Sequence, residues 1–169
     1  MPRRAILKSS KKRRKTAFTL IELLVVIAIL GILAAAVLVA INPFKRTAQA
    51  RDAQRKSNIQ TIANASQAYS VDKIGVYPGV LGQTDCGPST QYFTDIKNSG
   101  GLKTIPDDPQ SGKDYCAYPF THPISLQMEV VLWATLESPV NSGNVVWCWR
   151  SSDNSLRERP LFATICQLN

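Results

Sequence analysis

The sequence predicts an α+β protein: a long N-terminal helix, transmembrane in its first half, packs its second half on a small antiparallel sheet of three to four strands. Three patterns predict this architecture. Residues 18–41 form an apolar run, residues 59–69 carry apolar side chains at helical spacing, and the runs after residue 115 alternate with a period of two. A helical stripe and an alternating strand each bury one face, so we expect them to cover one another.

The first 17 residues form a basic leader. The chain of 169 residues has a net charge of +8, with 20 Lys and Arg against 12 Asp and Glu. Eight of the basic residues lie in residues 1–17, which contain no acid, so the remainder is balanced. A solvated tail and a nucleic-acid patch are alternatives, but the apolar run that follows favours control of membrane topology, with no nucleic acid required. The positive-inside rule predicts a cytoplasmic N-terminus and an exported C-terminal head.

The apolar run at residues 18–41 is long enough to cross a membrane. As a helix it would measure about 36 Å, against a hydrocarbon core of about 30 Å. Glu22 is its one charged side chain. A carboxylate at the centre of a spanning helix costs roughly 2.5–3.5 kcal/mol, and somewhat less near an end, so we interpret Glu22 as functional. A removable signal sequence cut after the small residues 34–36 is the alternative, although it would gain nothing from Glu22.

The second half of the helix is amphipathic. The pair Asn42-Pro43 predicts a break or kink, after which the helix resumes and ends near residues 71–73, just before Gly75. We therefore divide the chain into a leader at 1–17, a transmembrane helix at 18–41, an amphipathic helix at 42–73 and a head at 74–169. The expected apolar stripe comprises Phe44, Ala48, Ala53, Ile59, Ile62, Ala63, Ser66 and Tyr69, and the expected polar face comprises Arg51, Asp52, Arg55, Lys56, Asn58 and Gln60.

The head begins with a loop and continues as strands. Residues 75–114 are rich in Gly and Pro and read as a loop, with a short turn of helix or strand at 92–97. The period-two pattern then predicts strands at 115–120, 124–136 and 145–150, with a further candidate at 161–166. The three tryptophans fall in these strands, where we expect them to pack the sheet; they are Trp133, Trp147 and Trp149.

The four cysteines indicate disulfides in an exported head. They are Cys86, Cys116, Cys148 and Cys166, and no pair has the C-x-x-C spacing of a zinc site. Among the three connectivities we favour Cys86–Cys116 with Cys148–Cys166, because each pair closes a local loop. Four buried thiols are the alternative.

The junction of leader and span resembles the class III leader of type IV pilins and type II secretion pseudopilins. Basic residues 11–15 precede the small residue Ala17, then Phe18, and Glu22 follows four residues later. Two further elements are similar to ones found in pseudopilins of the major class: D-x-x-G-x-Y-P at residues 72–78, and a Pro106–Pro109 element followed by Gly and Tyr115 before the sheet. Together they indicate the pilin and pseudopilin superfamily.

The resemblance implies a processing site and an assembly site. A prepilin peptidase would cut between Ala17 and Phe18, and the new amine of Phe18 would be methylated; Ala17 replaces the usual Gly of the family. The amine of Phe18 would pair with Glu22 of a neighbouring subunit during filament growth. A pair within one helix, or no partner at all, is the alternative. The implied partners are the peptidase, like subunits, the membrane and a pilus or secretion assembly platform.

The expected function is structural rather than enzymatic, as a subunit of a type IV pilus or a type II secretion pseudopilus. The alternative is a signal-anchored extracytoplasmic binding module that does not polymerise. His122, the single histidine, lies in a turn-like segment and has no evident catalytic partner in the sequence. Asp107, Asp108 and Asp114 are candidate calcium ligands by resemblance, but they fit no EF-hand loop. A solvated acidic turn is therefore favoured, and we expect no cofactor.

Overall fold

Helix α1 is the apolar run, folded as one exposed helix. The computed structural model describes residues 18–140, 143 and 145–160, and in it α1 spans Leu20–Ile41. The side chain of Thr19 accepts the backbone N–H of Glu22 at 3.3 Å and so satisfies one of the amides that a first helical turn leaves unpaired. All residues of α1 are exposed, and it is the one helix in the described part of the chain that is long and apolar enough to cross a membrane.

The predicted break between the two helices is present. Asn42 follows α1 with a left-handed backbone (φ 45°), a conformation that Asn adopts more readily than most residues. Pro43 then begins α2, which spans Pro43–Asp72; proline suits a first helical position because its missing N–H would be unpaired there. Helix α2 ends where predicted, and beyond its end Gly75 (φ 85°) donates its N–H to the carbonyl of Ser70 at 2.7 Å.

Within the described residues the sheet has five antiparallel strands in sequential order, so the α+β class is confirmed and the expected count of three to four is too low. The strands are β1 (Asp85–Cys86), β2 (Cys116–Thr121), β3 (Met128–Thr135), β4 (Val145–Arg150) and β5 (Ser155–Pro160). The sequence Ser-Leu-Arg-Glu-Arg-Pro of β5 carries little apolar alternation, and its pairing with β4 along its whole length forms the strand. The candidate strand at 161–166 lies outside the described residues.

The predicted strand at 124–136 begins later than expected, at Met128. Residues 122–127 form a closed turn instead, because the backbone N–H of His122 bonds to the carbonyl of Gln127 (2.9 Å) and that of Leu126 to the carbonyl of His122 (3.0 Å). Leu126 has a left-handed backbone (φ 56°), which no strand residue adopts. The apolar alternation of this segment predicts a strand, so the turn could not be recognised from the sequence pattern.

The long loop of the prediction contains structure of its own. Helix α3 spans Gln91–Asn98 and buries Tyr92, Phe93 and Ile96 completely. A disulfide joins Cys86 on β1 to Cys116 on β2, with an S–S distance of 2.05 Å, and this is the predicted pairing. Cys148 is buried on β4, whereas Cys166 lies outside the described residues, so their pairing stays a prediction.

The sheet packs apolar side chains on both of its faces. On the face towards α2, Leu132 and Trp149 stand side by side across β3 and β4 and contact the stripe that contains Ile59 and Ile62. On the opposite face, Trp133 and Cys148 are neighbours in a second apolar cluster with Val131 and Val146. The expectation that the tryptophans pack the sheet is confirmed.

In the first half of α2, the buried face is not the one that the apolar pattern predicts. Phe44 is 86% exposed and Ala53 is exposed, although both belong to the predicted apolar stripe. Three members of the predicted polar face are buried instead, with exposures of 4% for Asp52, 0% for Arg55 and 8% for Asn58. Charged side chains are buried at such levels only when ion pairs and hydrogen bonds satisfy them.

Candidate functional site

The N-terminal end of α1 carries one residue of the predicted assembly site, Glu22, and the other, Phe18, precedes the helix next to its N-cap residue Thr19. Glu22 lies in the first turn, where a carboxylate interacts favourably with the positive end of the helix dipole. Ala17, the other residue of the predicted cleavage site, lies outside the described residues. Phe18 is 81% exposed, so its own chain leaves this end of the helix accessible.

Among the described residues, the small residues of α1 have no packing partner outside their own helix. A Cβ atom added at Gly31 would meet nothing within 4 Å there beyond the helix's own backbone, so no contact in this part of the chain requires glycine at that position. Ala28 and residues 34–36 are exposed as well. Small residues let helix backbones approach closely in a membrane, where apolar surface gives one helix no preference for another over lipid. The surface of α1 is therefore suited to contacts with other helices.

A buried arginine is the centre of the polar interior of the head. The guanidinium of Arg55 is fully buried and makes a two-pronged contact with Asp108, with Nε–Oδ2 and Nη2–Oδ1 distances of 2.7 Å each. Its Nη1 atom also lies 2.9 Å from Oδ1 of Asp52 and 2.6 Å from Oε1 of Glu137. Three carboxylates from three parts of the chain thus share one cation. We call these four residues, with Arg51, the Arg55 cluster.

The Arg55 cluster ties α2 to two loops. Asp108 lies in the segment before β2, and Glu137 follows β3. Arg51 donates to both carboxylate oxygens of Glu137. Asp52 in turn accepts the backbone N–H groups of Glu137 (2.9 Å) and Ser138 (2.7 Å). The charges are therefore compensated both by each other and by backbone donors, which is the condition for burying ions in a protein.

The cluster shifts the pKa values of its members in opposite directions. The hydrogen bond from Arg51, followed by that from Arg55, lowers the pKa of Glu137 from 4.5 to about 2. Hydrogen bonds to Asp108, Glu137 and Asp52 raise the pKa of Arg55 above its already high value, although burial opposes this. Both groups are thus held in their charged forms, and the cluster is a set of ion pairs at neutral pH.

The candidate calcium ligands do not assemble as a set. Asp107, Asp108 and Asp114 line a cavity of about 220 Å³ beside Gly112 and Tyr115. Asp108, however, is committed to Arg55, and its side chain is only 2% exposed. Within the described part of the chain, no group of three His, Cys, Asp or Glu residues is placed to hold a metal ion.

His122 has a structural role in its turn. Its Nδ1 atom accepts the backbone N–H groups of Ile124 at 3.3 Å and Ser125 at 3.2 Å. The ring thus closes the turn between β2 and β3.

The Arg55 cluster is not among the predicted site residues, although the sequence contains one signal of it. Asp52, Arg55, Ile59, Ile62 and Ser66 are spaced three and four residues apart in alternation, which is the spacing of one continuous helix face. Extending the stripe backwards from Ile59 therefore leads to Arg55 and Asp52. A stripe built from apolar residues alone contains Phe44 and Ala53 at this end of α2 instead of Asp52 and Arg55.

The chain is similar to one family model and to known proteins that share one name. A family model described as the prokaryotic N-terminal methylation motif matches residues 12–38. The chain is 35% identical over 112 residues to type II secretion system core protein G of Vibrio cholerae, a match that covers 62% of this chain and 71% of that protein. Its identity to the protein of the same name is 33% in Aeromonas hydrophila and 35% in Pseudomonas aeruginosa, each match covering 59% of this chain and 70% of the relative. No solved structure matches the chain significantly.

Replacing Arg55 by Met should lower the free energy of unfolding of the head by about 3–5 kcal/mol, because three carboxylates, two of them buried, would lose their shared cation. All three tryptophans lie in strands of the head, so denaturant unfolding of the full chain in detergent, followed by tryptophan fluorescence, measures this change. Arg157→Met is the matched control: it breaks an exposed pair with Asp153 and should cost less than about 1 kcal/mol. Equal effects of the two changes would contradict a central role for Arg55.

The stability of the head should decrease in acid through Glu137. The pKa of Glu137 is about 2 in the folded head, against 4.5 for an unperturbed Glu, which represents the unfolded chain. Its contribution to the free energy of unfolding is therefore complete above pH 4.5 and is lost as the pH falls from about 4.5 towards 2. Glu137→Gln should therefore lower the unfolding free energy at neutral pH and flatten its dependence on pH in that window. Denaturant unfolding followed by tryptophan fluorescence, repeated at a series of pH values, measures this dependence. Parallel curves for the two proteins would exclude Glu137 as the responsible group.

Proposed function

This chain belongs to the type II secretion system core protein G family, the pseudopilins, and we propose that it is a structural subunit that assembles through α1 into a pseudopilus. The observation that carries the proposal is the exposed apolar surface of α1, interrupted by one carboxylate in its first turn. A helix that only anchored the head would need no Glu22, which destabilises membrane insertion. The role is structural, and we propose neither a catalytic site nor a cofactor.

We propose that the leader is removed between Ala17 and Phe18 by a prepilin peptidase. Cleavage would remove the eight basic residues that hold the N-terminus on the cytoplasmic side. It would also create an α-amine at Phe18, with an ordinary pKa near 8, at the membrane depth of Glu22. Methylation of this amine keeps its positive charge. Processing therefore converts a topology signal into a cation suited to pairing with a carboxylate.

The amine of Phe18 on one subunit pairs with Glu22 on its neighbour in the assembled pseudopilus. Pairing offsets the cost of placing two charges in an apolar environment and fixes the axial register of the two helices. A pair between Phe18 and Glu22 of the same chain would supply no contact between subunits. The small residues around Gly31 allow the helix backbones to approach closely once the register is set.

The subunit is anchored in the membrane by α1 before it assembles. We propose the N-in orientation, with residues 1–17 in the cytoplasm and residues from Pro43 onwards exported, because Lys and Arg are concentrated before the span. The disulfide between Cys86 and Cys116 supports export, since disulfides persist in oxidising compartments. The proposed partners are the peptidase, like subunits and the assembly platform of the secretion machinery.

Glu22→Val should abolish incorporation into filaments while leaving the protein in the membrane, because the change removes the acid and makes the span more apolar. Filament yield is measured by shearing, pelleting and electron microscopy, and membrane retention by fractionation. Ile21→Val, one position earlier, is the matched control and should assemble normally. Normal assembly of Glu22→Val would favour the alternative, an anchored binding module that does not polymerise.

The N-terminus of the mature protein should be Phe18 with one added methyl group. Intact mass and N-terminal sequencing of the protein recovered from its native membrane measure this directly. Ala17→Gly should be processed at least as completely, because it restores the usual residue of the family. A mature start at Met1 or near Val37 would contradict processing by a prepilin peptidase; the second would indicate an ordinary signal sequence.

A further inference from the structure

The outer face of the sheet, opposite α2, carries four buried apolar side chains. Val131 and Val146 have no exposure to solvent, Cys148 is 3% exposed and Trp133 is 5% exposed. They belong to β3 and β4 and form the second apolar cluster of the head. An antiparallel sheet commonly leaves one face to the solvent, whereas this sheet buries the centre of both. We call these four residues the outer cluster.

The described helices do not account for the burial of the outer cluster. Helices α2 and α3 pack on the other face, through side chains such as Ile59 and Phe93, and α1 buries none of its residues. The partly buried apolar residues that pack against the outer cluster all lie on β2 of the same sheet; they are Cys116, Tyr118 and Phe120. Side chains stand roughly perpendicular to a sheet, so neighbouring strands cover their sides and leave their tips open. Complete burial of Val131 and Val146 therefore requires a further layer above them.

The segment that follows β5 has the composition of such a layer. Residues 161–169 read Leu-Phe-Ala-Thr-Ile-Cys-Gln-Leu-Asn, with six apolar residues and no charged one. The other long segment outside the described residues is 1–17, and eight of its residues are basic. Charged side chains lose their hydration when they are placed on an apolar cluster without partners. The apolar segment at 161–169 is therefore the better match to the outer cluster.

The position of β5 brings this segment to the edge of the outer cluster. Strand β5 is at the edge of the sheet, and its last residue, Pro160, pairs with Val145 at the start of β4. Cys148 lies further along β4, about 10 Å from Val145. Six extended residues reach about 20 Å. Residues 161–166 are thus long enough to turn back over the sheet and to bring Cys166 to Cys148.

We propose that residues 161–169 dock on the outer face of the sheet and cover the outer cluster. The apolar side chains of the segment pack on Val131, Trp133 and Val146, and Cys166 meets Cys148. The head then has three layers, with the sheet between α2 and the docked segment. The docked position also gives a second reason, independent of loop closure, to expect the disulfide between Cys148 and Cys166.

The disulfide would lock the docked segment in an oxidising compartment. It forms by exchange with an oxidant that itself carries a disulfide. The thiols of Cys148 and Cys166 give up two electrons and two protons as the new S–S bond forms, and the disulfide of the oxidant is reduced to two thiols. Docking brings the two thiols together first, so the apolar contacts decide which cysteines pair.

Photo-cross-linking in the full-length chain tests the docked position. The photoreactive residue p-benzoylphenylalanine replaces Phe162 in one variant and Ile165 in another, the chain is irradiated in detergent, and mass spectrometry locates the attachment. We expect at least one variant to give a cross-link within one chain to β3 or β4 at the outer cluster. Its yield should be at least ten-fold above that of the same residue at Phe44. Phe44 is the matched control, because it is 86% exposed at the start of α2.

Truncation of the chain after Pro160 tests whether the segment covers the sheet. Hydroxyl-radical footprinting with mass spectrometry measures the oxidation rate of each tryptophan separately. Removing residues 161–169 should raise the oxidation rate of Trp133 at least ten-fold, because its cover is lost. The rate of Trp149 should not change, because Trp149 is fully buried on the face towards α2.

The outcomes decide the proposal without any filament. Cross-links from Phe162 and Ile165 that reach only α2, or only a second chain, would overturn it. An unchanged oxidation rate of Trp133 in the truncated chain would overturn it as well. If truncation raises the oxidation rate of Trp149 too, the head has unfolded, and the cross-link in the full-length chain decides. Failure of the chain to form filaments would contradict the proposed function and leave the docked segment unaffected.

Discussion

The head depends on the burial of one guanidinium group against three carboxylates. Arg55 is the only link that α2 makes simultaneously to the loop before β2 and to the end of β3 through ion pairs in the described structure, and its side chain has no exposure to solvent. The desolvation cost of such a group is several kcal/mol, so the contacts with Asp108, Asp52 and Glu137 are required rather than optional. The apolar stripe that begins at Ile59 can pack on the sheet only if this end of α2 is held in the same place.

A second constraint acts on α1, where the solvent is lipid rather than water. In lipid, every backbone N–H must find its acceptor within the helix. In the first turn, which lacks preceding carbonyl groups, the side chain of Thr19 accepts the N–H of Glu22. The apolar surface of α1 gives it membrane affinity but no preference for another helix, so in the proposed filament the specificity would come from Glu22 and from close packing near Gly31. The two halves of the chain thus use buried charge in the same way, within one subunit in the head and between subunits in the proposed filament.

The elements with a single strong pattern could be predicted from the sequence. The span, the break at Asn42, the end of α2 and strand β4 follow from apolar length, proline and alternation. Closure of a local loop favours the disulfide between Cys86 and Cys116 among three connectivities, and the structure contains it. Strand β5 could not be predicted this way, because an edge strand is formed by backbone pairing and its side chains remain partly exposed. The Arg55 cluster escaped for a related reason: apolar periodicity cannot identify a buried face whose members are ions. Its charges come from positions as distant as Asp52 and Glu137, and only the fold brings them together.

The use of ions in the first half of α2 and apolar residues in the second half has a geometric explanation. Apolar side chains in place of the cluster would often be at least as stabilising, so stability alone does not account for it. An apolar stripe whose members are three and four residues apart repeats along the helix. Sliding the helix on the sheet by one turn, about 5.4 Å, would therefore still place apolar residues against it. The two-pronged contact of Arg55 with Asp108 tolerates no such slip, because both N–H groups must meet both oxygens. The cluster therefore fixes the register of α2 on the sheet, which the repeating apolar stripe alone leaves open.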